Sequence, residues 1–143
     1  MSDLFLIAHI AGRAVAIESR QVESVVDIGA IVPVPGTDRQ VRGLAALRSR
    51  VVTVIDTHAV LGLPAAEVEA TRAVITHVEG HHYAILVDSL EDVAPFDLAP
   101  LSPGIVLDRG WRATGCGIVE RAGEPILAID LRALVPGLNA IAA

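Results

Sequence analysis

Apolar residues in this chain fall in short runs separated by Gly, Pro and polar corners, the pattern of strands and tight turns. Leu4–Ile10 and Arg13–Glu18 are β-prone and meet at Ala11-Gly12, where Gly can supply positive φ. After the polar corner Ser19-Arg20-Gln21, Val22–Ile28 alternates and then becomes continuous, which predicts a third strand with one wet face. Val32-Pro33-Val34-Pro35-Gly36 is an extended loop, because each Pro fixes its own φ and restricts the residue before it. Val41–Leu47 and Val51–Asp56 flank Arg48-Ser49-Arg50 as a hairpin, and Thr57–Leu61 is a brief helix ending at Gly62.

The same order then recurs. Phe5–Val26 lies over Ala73–Ala94 without a gap, placing His9 on His77, Gly12 on Gly80 and Glu23 on Glu91. Val41–Leu63 lies over the stretch that begins near Gly117, placing Gly43 on Gly117, Asp56 on Asp130 and, with Pro136 as one extra residue, Gly62 on Gly137. The second copy predicts strands Arg72–Val78, His81–Val87 and Leu90–Phe96, a loop Asp97–Ala113, a hairpin of Thr114–Arg121 and Glu124–Asp130, and a short helix Leu131–Val135. Pro64–Thr71 links the copies.

Five short strands per copy suit a small closed barrel, which removes free edges. The expected fold is all-β: two five-stranded SH3-like barrels around a shared hydrophobic core, with short helices. By sequence the first barrel spans 1–63 and the second 72–143, with 64–71 between them; the pattern leaves open whether strands are exchanged. Each copy alone is near the size at which a separate core is marginal.

Composition narrows the function. At 52% hydrophobic residues the chain is unusually apolar, yet no stretch approaches the ~20 uninterrupted apolar residues of a membrane span. Leu4–Ile17 follows Asp3 and is broken by His9, Gly12 and Arg13, so a buried hairpin is expected there and not a signal peptide. A net charge of −6, with all 11 basic residues Arg, offers no basic stripe for nucleic acid. The single cysteine, Cys116, fits a reducing cytoplasm, and between Gly115 and Gly117 it reads as a small buried residue.

Candidate chemistry is thin. His9, His58, His77, His81 and His82 invite a metal, but His81 and His82 point to opposite strand faces and no HExxH or CxxC is present. Asp56 and Asp130 precede short helices and read as caps. Ser49, Ser89 and Ser102 lie in no nucleophile elbow. No catalytic, metal or cofactor site is therefore expected. Trp111 is either a binding anchor or a barrel plug. Arg48 stands out: it sits at a turn where the other copy has Ala122, so the fold does not require it.

The segments FLIAHIAGRAVAI, QVESVVD, IVPVPG, VRGLAALRSRVVTVIDTHAVLGL, RAVITHVEGHHYAILVDSLEDV and CGIVERAGEPILAIDLRALV, in this order, resemble the CheW-like family over nearly the whole chain. The resemblance implies a cytoplasmic, non-enzymatic adaptor linking the tips of methyl-accepting chemoreceptors to a CheA-type histidine kinase through that kinase's CheW-like regulatory domain. It implies a receptor-binding groove at Val22, Ser24 and Arg48, and kinase or partner contacts at Arg42, Gly43 and Ser49. Two positions depart from the family pattern. Ser24 stands where the family has an acidic residue, with Glu23 expected on the opposite strand face, and Ser49 stands at the family's turn glycine. The readings from other classes are a β-barrel interaction module outside chemosensing and a small metal-dependent enzyme using the histidines.

Overall fold

A computed structural model describes residues 2–36, 39–66, 70–101, 104 and 106–135. Ten strands run in order: β1 (Asp3–Ile10), β2 (Arg13–Glu18), β3 (Ser24–Asp27), β4 (Val41–Leu47), β5 (Arg50–Ile55), β6 (Arg72–Val78), β7 (His81–Val87), β8 (Ser89–Phe96), β9 (Gly115–Arg121) and β10 (Glu124–Ile129). Helix α1 (Thr57–Val60) follows β5, helix α2 (Arg109–Thr114) precedes β9, and 3₁₀ turns cover Ser19–Gln21 and Leu131–Leu134. Ser102, Pro103, residues 67–69 of the expected linker and the repeat's end at Pro136–Leu138 lie outside the described residues.

The strands form two five-stranded sheets, ordered β8-β1-β2-β10-β9 and β3-β6-β7-β5-β4, as the all-β expectation requires. Each sheet takes three strands from one copy of the repeat and two from the other, since the hairpins β1–β2 and β6–β7 are exchanged. The exchanged hairpins join their hosts through parallel pairs, β2 with β10 and β5 with β7; the other pairs are antiparallel.

This exchange explains the apolar composition. In β1, Phe5 and Ile7 fill the interior of their own barrel, while Leu6, Ala8 and Ile10 enter a core shared between the barrels. In β7, Ala84 and Leu86 face one interior and Ile85 and Val87 the shared core. A strand buried on both faces reads as a continuous apolar run, and each Ile or Val so buried contributes about 1.5–3 kcal/mol. Of the four strands at the ends of the sheet orders, β3 and β8 keep an exposed face, with Val25 and Val93 in solvent.

Helix α2 replaces part of the expected loop. Its sequence, with Gly110 and Thr114, has little helix propensity; packing makes it. Trp111 is 4% exposed within the shared core, with the Arg13 guanidinium 4.9 Å from its ring centroid, so it plugs the barrel junction. Gly110 approaches the Leu61 carbonyl so closely that a Cβ would lie 2.1 Å from its oxygen. Asp56 Oδ1 accepts from Ala59 N at 3.2 Å and Asp130 Oδ1 from Arg132 N at 3.0 Å, the capping expected of both. Cys116 is exposed, correcting the buried reading: along β9 the inward positions are Gly117 and Val119, so residue 116 alternates outward. Burial of part of its surface, with Asp130 and Glu18 nearby, still pushes the thiol pKa up.

Candidate interaction site

All four two-residue hairpin turns place both central residues at positive φ, as in type I′ turns: Ala11-Gly12, Arg48-Ser49, Glu79-Gly80 and Ala122-Gly123. Only the β4–β5 turn lacks glycine in second place. Ser49 there has φ 67°, a conformation that costs an L-residue on the order of 1 kcal/mol relative to Gly. Arg48, at φ 47°, is exposed, and among the described residues it makes no hydrogen bond or ion pair.

This turn forms one rim of a groove of about 350 Å³ between β3 and the β4–β5 hairpin. Val25, Val26, Leu47, Val52 and Ile75 supply its apolar surface, and Glu23, Ser24, Arg48 and Arg50 its polar edge. Val25 is 39% exposed, an apolar side chain left in solvent on a groove wall.

Ser24 and Arg48 thus line one groove. Val22 does not: it caps the Ser19–Gln21 turn and packs against the shared core. The third strand starts at Ser24, two residues later than the apolar run predicts, because Val22 donates its N–H to Ser19 O and completes the turn. Strand alternation therefore does not govern Glu23, and its side chain lies on the groove edge beside Ser24, not on the opposite face.

Glu23 is held there by Arg50, whose Nη1 donates to Oε1 at 3.2 Å, and by His82, whose Nε2 lies 3.2 Å from Oε2. Desolvation acts to raise the Glu23 carboxyl, but Arg50 and His82 outweigh it and hold the pKa below the ordinary carboxylate range. Its repeat partner Glu91 is bound in the same manner, by His9 Nε2 at 2.5 Å and Arg121 Nη1 at 3.0 Å. Sequence reading missed His82 because it compared His82 with its neighbour His81. The tight turn at Glu79-Gly80 sets His82 opposite His77 across the hairpin, with ring centroids 4.6 Å apart. Among the described residues no group of three or more His, Cys, Asp or Glu is arranged to hold a metal ion.

Arg42 and Gly43 lie at the other end of β4. Arg42 Nη2 donates to Asp56 Oδ2 at 3.1 Å. Gly43, at φ 150°, marks a register shift against β5, and its backbone passes directly under the Val32 carbonyl. Val32 bridges Leu44 there, and in the other barrel Ala99 bridges Ile118 above Gly117, so each barrel is closed by an equivalent strap.

The CheW-like domain family model matches residues 4–138. Among solved structures, the crystal structure of scaffolding protein TtCheW from Thermoanaerobacter tengcongensis aligns with a TM-score of 0.80 at 24% sequence identity, over 96% of this chain and 96% of that one. At that identity the likeness shows the fold. Comparison with curated proteins returns no match. Among the described residues no helix is long and apolar enough to cross a membrane.

Proposed function

The chain belongs to the CheW-like domain family, and on that premise we propose that it is a non-enzymatic cytoplasmic adaptor joining methyl-accepting chemoreceptor tips to a CheA-type histidine kinase. The observation that carries this reading is the β3/β4–β5 groove, apolar inside and rimmed by an Arg48 with no hydrogen bond or ion pair among the described residues. A receptor helix lays its apolar face on Val25, Val26 and Leu47, while Arg48 donates a charge-assisted hydrogen bond to an acidic or carbonyl group. Ser24 contributes a hydroxyl to the same edge, and Val22 positions the start of β3 from the core side. Arg42 and Ser49 belong to the surfaces that meet the kinase's CheW-like regulatory domain, a barrel of the same kind, and Gly43, buried beneath Val32, shapes the strand that presents Arg42. Likeness to a protein described as a scaffold supports a binding role.

The test is calorimetric titration of the full chain with the regulatory domain of a CheA-type kinase from the same cell, and separately with a receptor-tip fragment. Saturable binding to both is expected. Loss of one charge-assisted hydrogen bond is worth about 1.5–3 kcal/mol, so Arg48→Glu weakens the receptor arm by roughly tenfold or more without changing the melting temperature. Wild-type-like receptor binding by that variant removes Arg48 from the site. No binding to either partner leaves an interaction module outside chemosensing.

A further inference from the structure

The second barrel has a groove of its own, of about 650 Å³, between β8 and β9, the strands at the two ends of its sheet order. Phe96, Ile118, Pro100 and Pro125 supply its apolar surface, and Asp97 and Glu120 its charged edge. Phe96 rests edge-on against Phe5 of the barrel interior, with ring centroids 6.3 Å apart. Pro95, Pro100 and Pro125 each fix their own φ, so the walls are stiff before anything enters.

Glu120 is exposed on β9 and makes no hydrogen bond or ion pair among the described residues. Its counterpart in the first copy of the repeat is Ala46, so the fold does not require a carboxylate there. Asp97 accepts from the Ser2 hydroxyl at 3.0 Å through Oδ1, which leaves Oδ2 for another donor. The wider field agrees with these two groups. The strands of this sheet carry six carboxylates and two arginines, those of the other sheet one carboxylate and three arginines. A cationic segment is therefore favoured here, and an anionic one at the groove that Arg48 rims.

Strand addition does not suit this groove. Pro95 has no N–H to offer on β8, and Ile118 of β9 already exchanges both its main-chain hydrogen bonds with Ala99. Side-chain contact is what remains for a partner. We propose that the β8–β9 groove is a second docking site, for a basic amphipathic helix whose apolar face rests on Phe96, Ile118 and Pro125 while its Lys or Arg side chains reach Glu120 and Asp97. The site goes beyond the adaptor role and is independent of what fills the Arg48 groove. Because the two rims differ in charge, each groove repels the ligand of the other, and two partners cannot exchange places on the molecule.

Two synthetic amphipathic helices of equal length, one of Leu and Lys and one of Leu and Glu, are titrated into the ¹⁵N-labelled full chain. The Leu/Lys peptide is expected to bind saturably and to move the amide signals of Phe96, Asp97, Ile118 and Glu120 first; the Leu/Glu peptide is expected to leave those signals in place. Glu120→Gln, which loses no partner within the chain, should weaken the Leu/Lys peptide about two- to fivefold, the range of one exposed ion pair. Glu120→Lys should weaken it further. Glu79→Gln removes an equal charge from the exposed β6–β7 turn of the other barrel and should leave the affinity unchanged. Equal losses in Glu120→Gln and Glu79→Gln, or amide shifts spread over the acidic surface, mean attraction by net charge alone and overturn the site. A Leu/Lys peptide that does not saturate overturns it as well, as does a Leu/Glu peptide that enters the same groove.

Discussion

The carbonyl oxygen of Val32 lies 2.4 Å from the point where a side chain on Gly43 would begin. The strap that closes the barrel crosses β4 so closely that the strand has no room for a Cβ, and Gly43 carries φ 150° as well. Gly43→Ala is expected to destabilise the fold by about 1–3 kcal/mol, through overpacking against backbone and through strain. Urea midpoints measure it. An unchanged midpoint would mean that the strap moves aside freely. Gly117→Ala, beneath the Ala99 carbonyl at 2.6 Å, should behave alike.

At the turn that presents Arg48, the direction reverses. Ser49→Gly places in the β4–β5 turn the residue that Gly12, Gly80 and Gly123 provide in the other three, at the same sign of φ. A gain of about 1 kcal/mol is expected. Thermal melts of Ser49→Gly and of the reciprocal Gly80→Ser should shift in opposite directions; a shared direction would refute the strain.

Acid sensitivity follows from Glu91. Hydrogen bonds from His9 first, and then from Arg121, hold its carboxyl below the usual value of 4.5. The folded pKa is thus lower than the unfolded one, so the contribution to stability is present above about 4.5 and is lost as pH falls through the lowered folded value. Glu91→Gln is expected to flatten the acid limb of the stability profile below about pH 4.5, read from denaturant midpoints. A limb as steep as the wild type's would assign the loss to other carboxylates.

Trp111 tests the shared core. Trp111→Ala should cost about 3–5 kcal/mol, as expected for removing a large buried aromatic, and it also removes the surface under Arg13. Circular dichroism melts give the value. A cost below 1 kcal/mol would be that of a surface anchor.

The hairpins were legible because each announces itself locally: Ala11-Gly12, Glu79-Gly80 and Ala122-Gly123 are turn sequences between apolar runs. Arg48 was legible as a residue the fold does not require because the repeat supplies an internal control, with Ala122 at the matching turn. Helix α2 was not legible, since Leu61 and the shared core shape it and both are distant in sequence. Glu23 was misread for a related reason. A 3₁₀ turn displaces the start of β3, and the period-2 rule fails at a strand's edge. Which hairpin pairs with which host sheet is set by the packing of double-faced strands. A linear alignment of the two copies carries no record of it.

The exchanged hairpins bear on how the molecule transmits force. Pulling the two copies of the repeat apart would mean stripping hydrogen-bonded hairpins out of both sheets, through the parallel seams β2–β10 and β5–β7 and the antiparallel seams β1–β8 and β3–β6. The barrels themselves are joined by the shared core and by two short crossings, β2 to β3 through the Ser19–Gln21 turn and β7 to β8 through Asp88, so no long linker lets them bend. A body gripping the groove in one barrel and a body gripping the other barrel are therefore kept at a fixed distance and angle, as by a rigid bracket.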